Sequence, residues 1–145
     1  KTELKSLGDL ELVTAVGKKD WMKYGIHMLE AIFSVLDDPR PVSVRNIGRD
    51  QQDIVAVEFE CGLQAVLYLF MNIAPTFQIS LYGKAGWRLV EIKDSYSMFR
   101  NTIIEFIRSV QEGAPRIDFS KTERIISVLI AAKESLKLKG KKISL

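Results

Sequence analysis

Asp53-Ile54-Val55-Ala56-Val57-Glu58-Phe59-Glu60-Cys61-Gly62-Leu63-Gln64-Ala65-Val66-Leu67-Tyr68-Leu69-Phe70 reads as two strands, Asp53 to Glu60 and Leu63 to Phe70, joined at Cys61-Gly62. Glycine supplies the positive φ that a tight hairpin turn needs. A two-residue loop would set Val55, Val57, Phe59, Val66, Tyr68 and Phe70 on one face. Ile54, Ala56, Leu63, Ala65, Leu67 and Leu69 would then form the other. Both faces are apolar. An antiparallel sheet with one solvated face would alternate apolar and polar residues instead. The sheet built on this hairpin is therefore expected to be covered twice, by helices on one face and by another protein surface on the other.

Outward from the hairpin, Pro41 to Gly48 reads as a strand, and Phe77 to Tyr82 pairs with Trp87 to Lys93 across Gly83-Lys84-Ala85-Gly86. Leu10 to Val16 is a further strand, with Gly17 as its breaker, and Lys141 to Leu145 a short closing one. Asp20 is placed to cap a helix that runs to about Leu36. The polar end Asp37-Asp38 and two prolines, Pro39 and Pro41, stop it. A second helix covers about Ser97 to Glu112, with an apolar stripe of Phe99, Ile103, Phe106, Ile107 and Val110 and a C-cap at Gly113. Ser120, with Glu123 three residues on, predicts the capping box of a third helix, which runs to about Leu138 and ends at Gly140.

The order is strand, helix, a meander of about five strands, two helices and a last short strand. Strands joined by short turns are antiparallel, and helices segregated from a meander define an α+β domain. The expected architecture is an open, mostly antiparallel sheet of about six strands with helices on one face. A chain of 145 residues suits one such domain, spanning residues 1–145.

Composition narrows the function. Hydrophobic content of 47% and charged content of 27% are those of an ordinary globular domain. The net charge of +3 is too small and too dispersed to point to nucleic acid. The lysines from Lys133 to Lys142 complement helix C-terminal dipoles. One cysteine, Cys61, excludes an intrachain disulfide, and one histidine with one cysteine makes a structural zinc site untenable. No apolar run reaches the roughly 20 residues of a membrane span and no signal peptide is evident, so a cytoplasmic location is expected.

The single histidine, His27, lies in Trp21-Met22-Lys23-Tyr24-Gly25-Ile26-His27-Met28-Leu29-Glu30. At about 100° per residue, Met22, Ile26, Leu29, Phe33 and Leu36 fall on one core-facing stripe, with Gly25 and Ile32 beside it. His27 falls opposite, among Asp20, Lys23, Tyr24, Glu30 and Ser34. It faces solvent, a partner or a cleft. Trp21, Trp87 and Tyr82 are the aromatic candidates to stack on a ring. No G-x-G-x-x-G, P-loop or G-x-S-x-G elbow is present. From chemistry alone the active site is incomplete.

Five pieces in order resemble the C-terminal domain of Gfo/Idh/MocA-type oxidoreductases, the family of glucose–fructose oxidoreductase and inositol dehydrogenase. Leu7-Gly8-Asp9-Leu10 resembles the passage out of the cofactor domain, and Tyr24 to Glu30 the family's histidine helix. Val57 to Gly62 resembles its hairpin, with Cys61 where Asn or Asp is usual. Ile79 to Gly86 resembles the strand ending in Gly-Thr-x-Gly. Ala131 to Ser135, Gly140 and Ile143 resemble the closing helix and strand.

The resemblance implies a dihydrodipicolinate-reductase-like C-terminal sheet. Upstream of it there would be an N-terminal Rossmann domain that binds NAD or NADP and carries a catalytic lysine in a Glu-Lys-Pro motif. That domain is absent from this chain, which by itself should bind no cofactor and show no activity. The implied partners are that domain and a second copy through the sheet face, with neither nucleic acid nor membrane. The implied substrate is a sugar, a polyol or a related hydroxy or keto compound. His27 takes the place of the family's catalytic histidine, with Lys23, Tyr24 and Trp21 as substrate-binding candidates. Many sugar and inositol members carry an aspartate four residues before the histidine. Lys23 stands there instead, a cation suited to an acidic or phosphorylated substrate. The rival readings are a non-catalytic α+β binding or scaffolding module and a pseudoenzyme that has lost turnover.

Overall fold

The computed structural model describes residues 6–36, 39–116 and 118–145. The chain forms β1 (Leu10–Lys18), α1 (Trp21–Val35), β2 (Pro41–Asn46), β3 (Gln52–Phe59), β4 (Gln64–Phe70), β5 (Phe77–Gly83), β6 (Gly86–Glu91), α2 (Ser95–Glu112), α3 (Phe119–Lys137) and β7 (Ile143–Ser144). The α+β class is as expected. The sheet has seven strands where about six were expected, in the order β6-β5-β1-β4-β3-β2-β7. Every pairing is antiparallel except β1 with β4. Asp37 and Asp38, read as a polar helix end, lie outside the described residues.

The five-strand meander is corrected. β1 lies between β4 and β5, so the meander is split into β2-β3-β4 and β5-β6. The link from Met71 to Thr76 is too long for a tight hairpin turn and carries Pro75. Val13 and Ala15 of β1 are wholly buried and Leu12 and Val16 half-buried, a pattern that belongs at the centre of a sheet. Gly17 is not a breaker, because the strand continues through it to Lys18. Its glycine has a packing cause: a Cβ there would come within 2.7 Å of the Met28 sulfur on α1.

The hairpin register is also corrected, by one residue. Phe59 N–H donates to Leu63 O at 3.0 Å and Gly62 N–H donates to Phe59 O at 2.9 Å, so Glu60, Cys61 and Gly62 form a three-residue loop. Gly62 has φ +87°, the left-handed position such a loop requires. Val55 pairs with Leu67 and Val57 with Ala65, and Ile54 pairs with Tyr68. A shift of one residue sends each side chain of one strand to the other face. Val55, Val57, Ala65, Leu67 and Leu69 therefore share the buried face, all wholly buried. Ile54, Ala56, Val66, Tyr68 and Phe70 share the opposite face and are half-buried.

α1 and α3 pack on the buried face and on each other. α2, expected to help cover that face, makes only marginal contact with any other named element. α3 is capped by Asp118 rather than Ser120, whose own N–H and hydroxyl both donate to the Asp118 carboxylate. Gly113 ends α2 in the left-handed conformation, as expected. A buried polar knot fixes the far end of the sheet. Asn46 Nδ2 donates to Asp53 at 2.8 Å, and Asn46 N–H donates to Ser135 Oγ at 2.9 Å. Burial raises the Asp53 carboxyl above its usual range, and the Asn46 bond pulls the other way.

The opposite face of the sheet carries no described element. Strand register sets Val16, Tyr68 and Ile54 in one row, Val66 and Ala56 in the next, and Trp87, Tyr82 and Leu12 in a third. Trp87 and Leu89 are more than half exposed.

Candidate functional site

α1 begins where Asp20 accepts a hydrogen bond from Lys23 N–H at 3.2 Å, the cap expected from sequence. Its buried residues are Trp21, Gly25, Met28, Leu29, Ile32 and Phe33. The core-facing stripe is therefore rotated by about 60° from the expected one, at 100° per residue. Met22 is exposed and Ile26 and Leu36 are half-buried. The sequence gives apolar residues on both sides of this helix, and only the position of α3 decides which side is covered. The rotation leaves His27 farther from the core.

His27 is half exposed, at 50% of its side-chain surface. Its Nδ1 lies 3.4 Å from Glu30 Oε2, one turn on. With the proton on Nδ1, the ring donates to Glu30 and leaves Nε2 free to accept. Tyr24 meets the imidazole edge-on, with ring centroids 5.2 Å apart, and rests its other side against Phe77 at 6.1 Å. Lys19 Nζ sits 4.7 Å above the Tyr24 ring. Lys23 is exposed one turn before His27, on the same side of the helix.

Three of the four expected site residues, His27, Lys23 and Tyr24, are brought together. Trp21 is not. It is 3% exposed, and its indole N–H donates to Leu129 O of α3 at 3.0 Å. Trp21 is a core residue, and its substrate-binding assignment is withdrawn. An aromatic at the first position of the helix projects back over the turn before its own Cα, which here is the α3 side. Trp21→Phe should cost about 1–2 kcal/mol of stability by orphaning that bond. It should leave substrate affinity unchanged, as a denaturant midpoint and a KM would report. Trp87 and Tyr82 lie on the open face of the sheet, across the core from His27.

Glu30 stands beside His27, as helical spacing placed it. Lys19 was not expected, because its φ of +138° is a conformation that side-chain-bearing residues rarely adopt. Such backbone costs of order 1–3 kcal/mol and tends to collect at functional sites. A hollow of about 450 Å³ lies at the other end of α1, between Leu10, Leu36, Pro39, Phe59 and Leu63. It is roughly 13 Å down the helix from His27 at 1.5 Å per residue, and it has no part in this cluster.

The N-termini of α1, α2 and α3 are each occupied by the carboxylate of their own cap, Asp20, Asp94 and Asp118. Among the described residues no group of three or more His, Cys, Asp or Glu could hold a metal ion. No helix among them is long and apolar enough to cross a membrane.

No family model matches the sequence, and no curated protein does. Solved structures match the fold throughout. GenD2 from gentamicin A biosynthesis, in complex with NAD, aligns with a TM-score of 0.80 at 14% identity, over 97% of this chain and 57% of that one. Myo-inositol dehydrogenase from Corynebacterium glutamicum aligns at 0.78 and 12% identity, over 99% and 59%. Myo-inositol dehydrogenase from Lactobacillus casei, in complex with NAD(H) and myo-inositol, aligns at 0.76 and 12%, over 99% and 56%. In fold, this chain is similar to the matched span of these solved oxidoreductase chains, the fold the resemblance implied. It spans a little under three fifths of the length of the solved chains named here.

Proposed function

We propose that this chain is the substrate-side and self-association domain of an NAD(P)-dependent oxidoreductase. The substrate is a sugar, polyol or related hydroxy or keto compound. A Rossmann domain upstream in the same polypeptide would hold the dinucleotide, which when bound supplies or accepts the hydride. The observation that carries this reading is His27: a half-exposed imidazole on α1 whose Nδ1 lies 3.4 Å from Glu30 Oε2. Hydride loss from a carbinol carbon must be matched by proton loss from its oxygen. His27 Nε2 takes that proton in oxidation and returns it in reduction. Tyr24 packs the ring in place, and Lys23 and Lys19 offer positive charge beside it. The open apolar face of the sheet, centred on Tyr68, Val66 and Val16, supports pairing with a second copy.

The test is thermal shift on the complete gene product, with NAD(H), NADP(H) and a panel of polyols, sugars, sugar acids and sugar phosphates. A ligand at 100 times its Kd stabilises by about 2.7 kcal/mol. One dinucleotide and then one panel member should each raise the midpoint. A gene product that answers to neither dinucleotide returns the fold to the scaffolding reading. The 145-residue chain alone should give no calorimetric heat above dilution with NADH or NADPH. Micromolar binding there would contradict the division of labour.

A further inference from the structure

We propose that the exposed apolar face of α2 is the seat on which the upstream nucleotide-binding domain docks, which rests on the reading above that such a domain exists. Tyr96, Phe99, Ile103, Phe106 and Val110 recur at spacings of three and four, so they form one stripe along the helix. A stripe of this kind normally faces a core. Here it faces outward: Tyr96, Phe99, Phe106 and Val110 are each about two-thirds exposed or more. The polar bonds of the helix close only on the loop that follows it. Glu105 binds Arg116 Nε at 2.8 Å, and Ser109 Oγ accepts from Arg116 N–H at 3.1 Å. With each aromatic side chain counted at roughly 150–250 Å², the stripe amounts to something on the order of 700 Å². That exceeds the roughly 300–600 Å² of the largest apolar patch on a typical monomer.

The occupant follows from the number of open surfaces. A two-fold pair of copies uses one self-complementary surface, and the open face of the sheet provides it. The α2 stripe is a second, separate surface, and it calls for a different partner. The solved chains that share this fold carry about two fifths of their length outside the matched span. That length, joined covalently to this fold, is the partner always present at high effective concentration. Interfaces between domains of one chain run to about 600–1,500 Å², the size of this stripe with its rim.

Amide hydrogen exchange on the complete gene product and on the 145-residue chain decides it. α2 amides should exchange at least about 100-fold more slowly in the gene product than in the chain alone. The double substitution Phe99→Glu with Phe106→Glu should abolish that protection. Both side chains are exposed in this fold, so the exchange of α1 and α3 and the circular dichroism of the chain should hold. NADH or NADPH binding by the gene product, followed by nicotinamide fluorescence, should also hold. If the gene product binds dinucleotide while α2 exchanges equally fast in both, the docking seat is wrong and the functional reading stands. Protection of α2 in the chain alone, rising with concentration, assigns the stripe to a second copy and overturns the proposal. A gene product that binds neither dinucleotide removes the functional reading and the docking seat together.

Discussion

His27→Ala should, on the proposed function, lower kcat of the complete gene product by about 10²–10⁴-fold, the usual loss on removing a general acid–base group. That is roughly 3–5 kcal/mol of transition-state stabilisation. The melting midpoint and the dinucleotide affinity should hold, because the side chain is half exposed and its polar contact is with Glu30 on the same helix. This combination separates a chemical role from a structural one. A core residue would move the midpoint first, and a substrate-binding residue would move KM first. Steady-state kinetics with the substrate found by thermal shift, beside a scan of the variant, make the comparison. Unchanged turnover would reduce His27 to a surface histidine and leave the cluster with Tyr24, Lys19 and Lys23 without a catalytic part.

Leu67→Asp and Tyr68→Asp, neighbours on β4, should fail in different ways. Leu67 is wholly buried beside Val55, on the strand that packs beneath α1. A carboxylate there is an unpaired buried charge, and the leucine packing is lost as well. Each costs several kcal/mol. The sum is comparable with the whole stability of a small domain, about 5–15 kcal/mol, so Leu67→Asp should be unfolded or nearly so at room temperature. Tyr68 points to the open face, between Ile54 and Val16. Tyr68→Asp should keep the fold and dissolve the proposed self-association, a shift from dimer to monomer in sedimentation at matched concentration. A wild-type chain that stays monomeric at high concentration would leave the open face to some other partner. Retained dimerisation in the Tyr68 variant would move the interface off the centre of the sheet.

Much of the fold was legible in local sequence because local physics decides it. Asp20 caps α1 and Gly113 ends α2 because capping is a matter of a few neighbouring groups. The strands lie close to where alternation and turn residues put them, and the α+β class follows from their order. The placing of His27 away from the core was also legible. It needed only helical spacing, and a rotation of about 60° did not disturb it. Five short motifs in order pointed to the dehydrogenase fold at identities where each motif by itself says little.

The remainder depended on contacts between residues far apart in the chain. The faces of the β3–β4 hairpin hung on whether its loop had two residues or three, and the bond from Phe59 to Leu63 fixes three. β1 went to the centre of the sheet because β4 and β5 both pair with it, which no local pattern encodes. Trp21 had the composition of a ligand-stacking residue and became core, because α3 offers the Leu129 carbonyl where its indole points. Lys19 joined the site only through a backbone angle that its side chain does not favour. α2 shows the converse case: its periodicity marks an apolar face, and only the tertiary structure reveals that this domain leaves that face bare. Sequence determined the elements and the chemistry each one carries. Tertiary structure decided which face of each element is spent on the core and which is left exposed, because burial belongs to the neighbours a residue meets as much as to the residue.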